Sequence, residues 1–194
     1  DYEHQPINHV SLKWTGINPK TYTNQELTLD LAVHPNQSGR IILNLPGYKG
    51  QIDGFNNKHQ KLAQYMQGEN LGAVVRCKGP DNNDPKNFGL DVPFRAMLEY
   101  SLYNAEEICG LDDPEILLIG TSAGAGVVAA VAYECSLITK MLLMAPGDNM
   151  GEGAIQQGLA AFRGEVYVVI GQNDTNVGPN AGKKFLDLAT GASH

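Results

Sequence analysis

Five short apolar segments, each separated from the next by a loop and a helical pattern, constrain this chain more than any other feature. They are residues 41–45, 71–77, 115–119, 141–145 and 166–170. Segments this short and this continuously apolar are typical of strands buried on both faces of a parallel sheet. Because helical patterns alternate with them, the sequence predicts an α/β fold with helices on both sides of the sheet.

The first part of the chain has a different pattern. Residues 10–14 and 27–33 alternate apolar and polar side chains, as strands with one solvated face do. We expect them to form an antiparallel edge of an otherwise parallel sheet. With helices on both faces, this sheet gives a three-layer α/β fold, and residues 1–194 form one domain. Helical spacing covers residues 56–67, 91–110, 123–134, 154–162 and 180–189, and the clearest of these helices begins at Asp91.

Charge and apolar content exclude several classes of function. The chain has 14 Lys and Arg against 21 Asp and Glu, a net charge of −7, and no basic run. Nucleic acids and anionic membranes are therefore not expected partners. No apolar stretch approaches the roughly 20 residues of a membrane span.

The cysteines indicate a compartment. Cys77, Cys109 and Cys135 form no C-x-x-C pair and match neither a zinc site nor a disulfide framework. We expect them to be reduced and the protein to be cytoplasmic, although a chain that opens at Asp1 leaves a removed leader possible. Neither a metal nor an organic cofactor is expected.

One motif carries chemistry. Gly120-Thr-Ser-Ala-Gly124 follows an apolar strand and opens a helix rich in small residues. In a G-x-S-x-G turn, the glycines let strand and helix approach closely while the serine is exposed at the turn. Over essentially its whole length the sequence resembles the α/β-hydrolase family. The resemblance implies the fold of that family, with Ser122 as nucleophile.

A second motif overlaps the first. Gly124-x-Gly126-x-x-Ala129 matches a dinucleotide-binding fingerprint, and Asp148 lies at a suitable distance for a ribose contact. A dinucleotide loop places its first glycine almost directly after the strand, whereas residues 121–123 intervene here. The register therefore favours the hydrolase turn.

The resemblance also implies an oxyanion hole made of two backbone N–H groups. One is that of Ala123, directly after the nucleophile. The other lies in the loop after the strand 41–45, which reads Pro-Gly-Tyr-Lys-Gly, and Tyr48 is the best candidate. The family often has His-Gly where this chain has Pro-Gly, so the match is partial.

The catalytic acid of the family follows a late strand. Asp174 comes after the strand 166–170, and the residues behind it are close to the Asp-x-x-Val-x-Pro that the family often has. Asp148, after the preceding strand, is the alternative, and some family members use that position.

The histidine is harder to assign. The chain contains His4, His9, His34, His59 and His194. Only His194 follows Asp174, which is the order that the family requires. If residues 180–189 form a helix, the sheet lacks its last strand and His194 is not the base. If residues 183–189 form a strand instead, the final Gly-Ala-Ser-His weakly resembles the histidine loop of cutinase-like hydrolases and His194 is the base.

The sequence thus predicts a lidless serine hydrolase that cleaves a carboxylic ester of a small molecule. Thioesters and small amides would suit the same chemistry, and a non-catalytic binding domain of the same fold is the alternative from another class. We favour the helical interpretation of residues 180–189. The 194-residue chain is therefore expected to hydrolyse p-nitrophenyl acetate barely above background, with a continuation that adds a strand and a histidine restoring activity.

Overall fold

A seven-stranded sheet organises the computed structural model, which describes residues 1–18, 21–81, 89–175, 178 and 180–193. Its strands are β1 (Asn8–Ile17), β2 (Asn24–His34), β3 (Arg40–Leu45), β4 (Ala73–Arg76), β5 (Glu115–Thr121), β6 (Ile138–Met144) and β7 (Glu165–Val169). Their order across the sheet is β1-β2-β4-β3-β5-β6-β7.

The direction of the strands matches the sequence pattern. β1 pairs with β2, and β2 with β4, in antiparallel fashion. All other neighbours are parallel. The prediction of a mostly parallel sheet with an antiparallel N-terminal edge is therefore confirmed. Because β3 to β7 run the same way, their carboxyl ends form one edge, which we call the upper edge.

Helices lie on both faces. They are α1 (Lys58–Gly68), α2 (Val92–Tyr103), α3 (Ala105–Cys109), α4 (Ala123–Val131), α5 (Glu152–Ala161) and α6 (Ala181–Leu188). α1 packs on one face, where Ala63 and Met66 meet Ile42 and Val74. The other helices pack on the opposite face around a larger core, which confirms the three-layer arrangement.

The prediction of one helix over residues 91–110 is wrong in two details. The helix is broken at Asn104, whose side-chain amide donates to the Tyr100 carbonyl at 2.9 Å and leaves α3 as a separate turn. Asp91 precedes α2 without capping it. Its carboxylate instead accepts a hydrogen bond from Arg95 Nε at 2.7 Å, since an ion pair at this spacing competes with the backbone N–H groups.

The prediction that β7 is buried on both faces is also wrong. Tyr167 and Val169 are each 52% exposed, and Met144 on β6 is 36% exposed. In register, these residues share the face that α1 covers at Ile42 and Val74. In the described part of the chain, nothing covers them as α1 covers that pair.

The last helix decides between the two interpretations of the C-terminal segment. α6 is helical and buries Phe185, so the alternative in which residues 183–189 form a final strand is wrong. Its apolar residues recur at helical spacing, and Lys183 pairs with Asp187 one turn later at 3.0 Å. After α6 the chain returns to the lower edge of the sheet, where Ser193 N–H donates to the Gly164 carbonyl at 3.0 Å.

Two further expectations concern thiols and membranes. Cys77, Cys109 and Cys135 are free, and the first two are buried. Burial raises the pKa of the Cys77 thiol to about 12, so this side chain is an inert packing residue. Across the described ranges no helix has both the length and the apolar character needed to cross a bilayer.

Candidate active site

Ser122 lies at a sharp turn between β5 and α4 on the upper edge. Its backbone has φ 52° and ψ −119°, a conformation that residues with a side chain adopt only under strain, at a cost of about 1–3 kcal/mol. The strand ends at Thr121 and the helix begins at Ala123, so a single residue makes the whole change of direction. This is the sharp strand-to-helix turn that the G-x-S-x-G motif predicts.

The two glycines of the motif are required by sterics. A Cβ on Gly124 would lie 2.3 Å from the carbonyl oxygens of both Leu45 and Pro46, and one on Gly120 would lie 2.6 Å from Ala125 Cα. Real Cβ atoms do not approach so closely, and backbone atoms cannot move aside cheaply. The sequence motif therefore reports close packing of α4 on β3 and β5.

Hydrogen bonds from the β6 side hold the strained turn. Ser122 N–H donates to the Met144 carbonyl at 2.9 Å, and the Ser122 carbonyl accepts from Gly147 N–H at 2.9 Å. Ala145, between these partners, itself has a positive φ of 45°. Strained conformations persist only where their surroundings fix them, and these bonds do so for Ser122.

The predicted oxyanion donors lie on two segments that meet at Ser122. Ala123 is the first residue of α4, so its N–H has no carbonyl one turn earlier to bond. The loop that carries Tyr48 approaches from β3, and a Cβ built on Gly47 would lie 3.4 Å from Ser122 Cβ. The fold therefore brings both predicted segments to the turn at Ser122.

The two candidate acids occupy different surroundings. Asp174 is half-buried in the loop after β7, where its N–H donates to the Gly171 carbonyl at 3.0 Å. Asp148 is exposed and lines a groove of about 400 Å³ between the 146–148 loop, α5 and α6. Lys184, in the same groove, bonds Glu152 at 2.8 Å, and that hydrogen bond followed by the charges of Glu152 and Asp148 raises its pKa. Asp148 therefore faces a cation, whereas Asp174 follows the strand that the family pattern predicts.

Two of the described histidines, His34 and His59, lie within electrostatic reach of Arg76 and Asp53. His34 is fully buried, and its Nε2 accepts a hydrogen bond from Arg76 Nε at 2.9 Å. Burial first, and the Arg76 charge second, lower the His34 pKa to about 4. Burial also lowers the pKa of His59. The prediction for His194 falls outside the described residues.

Protein atoms fill the space beside the glycines of the alternative dinucleotide motif. The space beside Gly124 is taken by Leu45 and Pro46, and a Cβ on Gly126 would lie 2.3 Å from the Gly147 carbonyl. A pyrophosphate has no room there. In the described ranges no three His, Cys, Asp or Glu side chains are placed to hold a metal ion.

Sequence reasoning assigned no role to Arg76, to its hydrogen-bond partner His34 or to Gly147, whose N–H bonds the Ser122 carbonyl. Arg76 and His34 end two strands in otherwise apolar surroundings, and Gly147 follows a proline directly after β6. A buried arginine at the end of an apolar strand is a signal that could have been found, since such a charge requires partners.

Comparison with known structures identifies the fold. No protein-family pattern and no curated sequence match the chain. The Pyrococcus furiosus esterase Pf2001 superposes with a TM-score of 0.67 at 13% identity, over 94% of this chain and 78% of that one. The carboxyl esterase 2 of the mycorrhizal fungus Tuber melanosporum gives 0.66 at 14%, over 100% and 76%. The acylaminoacyl peptidase of Pyrococcus horikoshii gives 0.67 at 12%, over 96% and 35%. With this strand order and a serine at the strand-to-helix turn after β5, the chain has the α/β-hydrolase fold.

Proposed function

We propose that the protein is a serine hydrolase that cleaves a carboxylic ester through an acyl-enzyme on Ser122. The observation that carries the proposal is the strained backbone of Ser122 at the turn between β5 and α4. Strain of this kind is concentrated at functional sites because it needs support from many neighbours. The names of the structural neighbours, two of them esterases, support the same chemistry.

The proposed roles are those that the resemblance to the α/β-hydrolase family implies. Ser122 Oγ attacks the ester carbonyl, and a histidine takes its proton and passes it to the leaving alcohol. The N–H groups of Ala123 and Tyr48 stabilise the oxyanion of the tetrahedral intermediate. Asp174 orients the histidine and fixes its tautomer. Water then releases the acyl group by the same steps.

A fluorophosphonate tests the nucleophile. In a preparation that contains the base, it should form a covalent adduct on Ser122 that mass spectrometry of the digested protein locates. Ser122→Ala should abolish the adduct, whereas Ser136→Ala, at a serine outside the motif, should leave it unchanged. An adduct on another serine in a preparation with ester turnover would overturn the assignment.

The base is tested separately. Ser193 is bonded to Gly164 at the lower edge, whereas Ser122 lies at the upper edge, and this supports the hypothesis that His194 does not serve Ser122. We expect p-nitrophenyl acetate hydrolysis by the 194 residues to stay barely above background, with His194→Ala making no difference. Robust turnover that His194→Ala removes would instead assign His194 as the base.

The bond that is cleaved is the last part of the proposal. Thioesters and small amides pass through the same tetrahedral intermediate, and one structural neighbour is named as a peptidase. The groove beside the 146–148 loop is lined by the apolar Ile155 and Phe185 and by charged side chains such as Asp148 and Lys184. A panel of acetyl and butyryl oxygen esters, thioesters and anilides, compared by kcat/KM, separates these classes.

A further inference from the structure

The loop between β3 and α1, residues 46–57, has little to hold it in place by packing. Pro46 is its one fully buried residue, and Phe55 is 78% exposed. Three of its residues have left-handed backbone: Lys49 with φ 56°, Asn56 with φ 53° and Asn57 with φ 57°. A strained, solvent-exposed loop keeps one conformation only if specific contacts fix it. The start of this 46–57 loop lies against Ser122, since a Cβ on Gly47 would lie 3.4 Å from Ser122 Cβ. The position of the loop therefore matters at Ser122.

The first set of contacts comes from Arg76, the last residue of β4. Its side chain is 1% exposed, and Nη1 donates to the Ile52 carbonyl at 2.8 Å and to Asp53 Oδ1 at 2.7 Å. Nε donates to His34 Nε2 at 2.9 Å. A buried cation depends on such partners because it has lost its water. Arg76 is thus fixed from β2, and it holds the far part of the 46–57 loop.

A second set of contacts lies closer to Ser122. Gly79 N–H donates to the Gly50 carbonyl at 2.8 Å, and Lys49 N–H donates to the Pro80 carbonyl at 2.9 Å. A Cβ on Gly79 would lie only 1.8 Å from the Gly47 carbonyl oxygen. No side chain fits there without displacing the loop.

Tyr48 lies between the contact of Gly47 with Ser122 and these two sets of contacts. On one side the loop touches the nucleophile turn at Gly47, and on the other it is bonded to the segment that follows β4. We propose that Arg76 is a positioning residue, which through Asp53 and Ile52, and together with Gly79, holds the 46–57 loop so that Tyr48 N–H lies at the oxyanion position. The proposal rests on the function proposed above.

A purely structural role for Arg76 makes a different prediction. If Arg76 only stabilised the fold, weakening its loop partner would lower overall stability and leave the reactivity of Ser122 unchanged. If Arg76 positions the loop, the same change leaves the fold intact and slows reaction at Ser122. A hydrogen-bond donor stabilises the oxyanion only at the right distance. A misplacement of about 1 Å can lower the rate about 100-fold.

Asp53→Asn is the primary variant, because it removes the carboxylate from a half-exposed side chain and leaves Arg76 in place. Asp187→Asn, which removes the acid of the exposed pair with Lys183, is the matched control. Gly79→Ala tests the second set of contacts, and Gly153→Ala, where a Cβ meets nothing within 4 Å, is its control. Asp53→Glu keeps the negative charge on a longer side chain, so this variant should recover part of the wild-type behaviour.

Two measurements decide the proposal. Hydrogen exchange followed by mass spectrometry should show peptides of residues 47–54 exchanging about tenfold faster in Asp53→Asn and in Gly79→Ala, with β5 and α4 unchanged. In a preparation with ester turnover, the rate of Ser122 phosphonylation by the fluorophosphonate should fall about tenfold in both variants, recover partly in Asp53→Glu and stay at the wild-type value in both controls.

Each other outcome has a separate meaning. Wild-type exchange of residues 47–54 in Asp53→Asn and Gly79→Ala would overturn the proposal. Faster exchange with an unchanged phosphonylation rate would show that the loop is held but does not serve Ser122, which also overturns it. If wild-type Ser122 is never labelled in a preparation with ester turnover, the proposed function fails, and the positioning role fails with it even where the exchange data show the loop to be held by Arg76.

Discussion

One face of the sheet is covered by α1 over β3 and β4 but exposed to solvent over β6 and β7. We call these the covered side and the open side. Under α1, Ile42 is 4% exposed and Val74 is 0% exposed. In the same face at β6 and β7, Met144 is 36% exposed and Val169 is 52% exposed. The strands have similar apolar sequences, so the sequence of a strand tells which side chains suit burial but not which of them are covered.

This difference coincides with a division of the candidate site. Ser122 and the 46–57 loop lie over the covered side, where backbone carbonyls surround Gly124 and hydrogen bonds fix the turn. Asp174 lies beyond β7, on the open side, in a loop beside Gly171, whose Cβ would meet nothing within 4 Å. Ser122 therefore lies in dense packing, whereas the backbone at Gly171, near Asp174, borders open space.

The largest expected effect tests whether Asp174, on the open side, takes part in the reaction. In a preparation with ester turnover, Asp174→Asn should lower kcat by about 10⁴, because an amide supports the wrong histidine tautomer. Asp148→Asn should cost far less, since Asp148 is exposed and faces Lys184. Steady-state kinetics on both variants decides between them. If Asp148→Asn proves more damaging, the acid belongs to the loop after β6.

The next effect tests the difference in packing. Gly124→Ala should lower the free energy of unfolding by about 3 kcal/mol, because the new methyl group meets two backbone carbonyls that cannot give way. Gly171→Ala should change it by no more than about 0.5 kcal/mol, as a surface substitution without contacts does. Urea unfolding of the two variants measures both values. Equal losses would show that the two sides are packed alike.

Much of the fold could be predicted from the sequence, and the parts that could not have identifiable causes. Apolar runs and helical spacing gave the sheet and α6, since both follow from local periodicity. The exposure of Val169 could not be predicted, because it depends on what packs over the strand. The roles of His34 and Arg76 were missed because their hydrogen bond joins residues 42 positions apart in the chain.

The third effect concerns pH on the covered side. His34 has a pKa of about 4 in the folded protein against about 6.5 in an unfolded chain. The unfolded state therefore binds the proton first as the pH falls, so stability present above pH 6.5 is lost between pH 6.5 and 4. From pH 7 to pH 4.5 the loss due to His34 should be about 2 kcal/mol.

A comparison of variants isolates this contribution. His34→Gln supplies an oxygen that can accept the Arg76 Nε–H bond and does not titrate in this range. The free energy of unfolding, measured against pH, should fall about 2 kcal/mol less in this variant than in the wild type. His4→Gln, the same replacement at an exposed position, is the matched control. Parallel curves for wild type and His34→Gln would show that folding does not lower the His34 pKa.

The smallest effect is the most direct test of the open face. Val→Thr replaces a methyl group by a hydroxyl of almost the same size, so its cost measures burial. Val74→Thr, beneath α1, should cost about 2 kcal/mol because the hydroxyl loses water. Val169→Thr should cost no more than about 0.5 kcal/mol, since solvent already reaches this position. If Val169→Thr costs as much as Val74→Thr at every protein concentration, this face is covered in the state that unfolds. If its cost grows with protein concentration, the cover is a second copy of the chain, because only association depends on concentration.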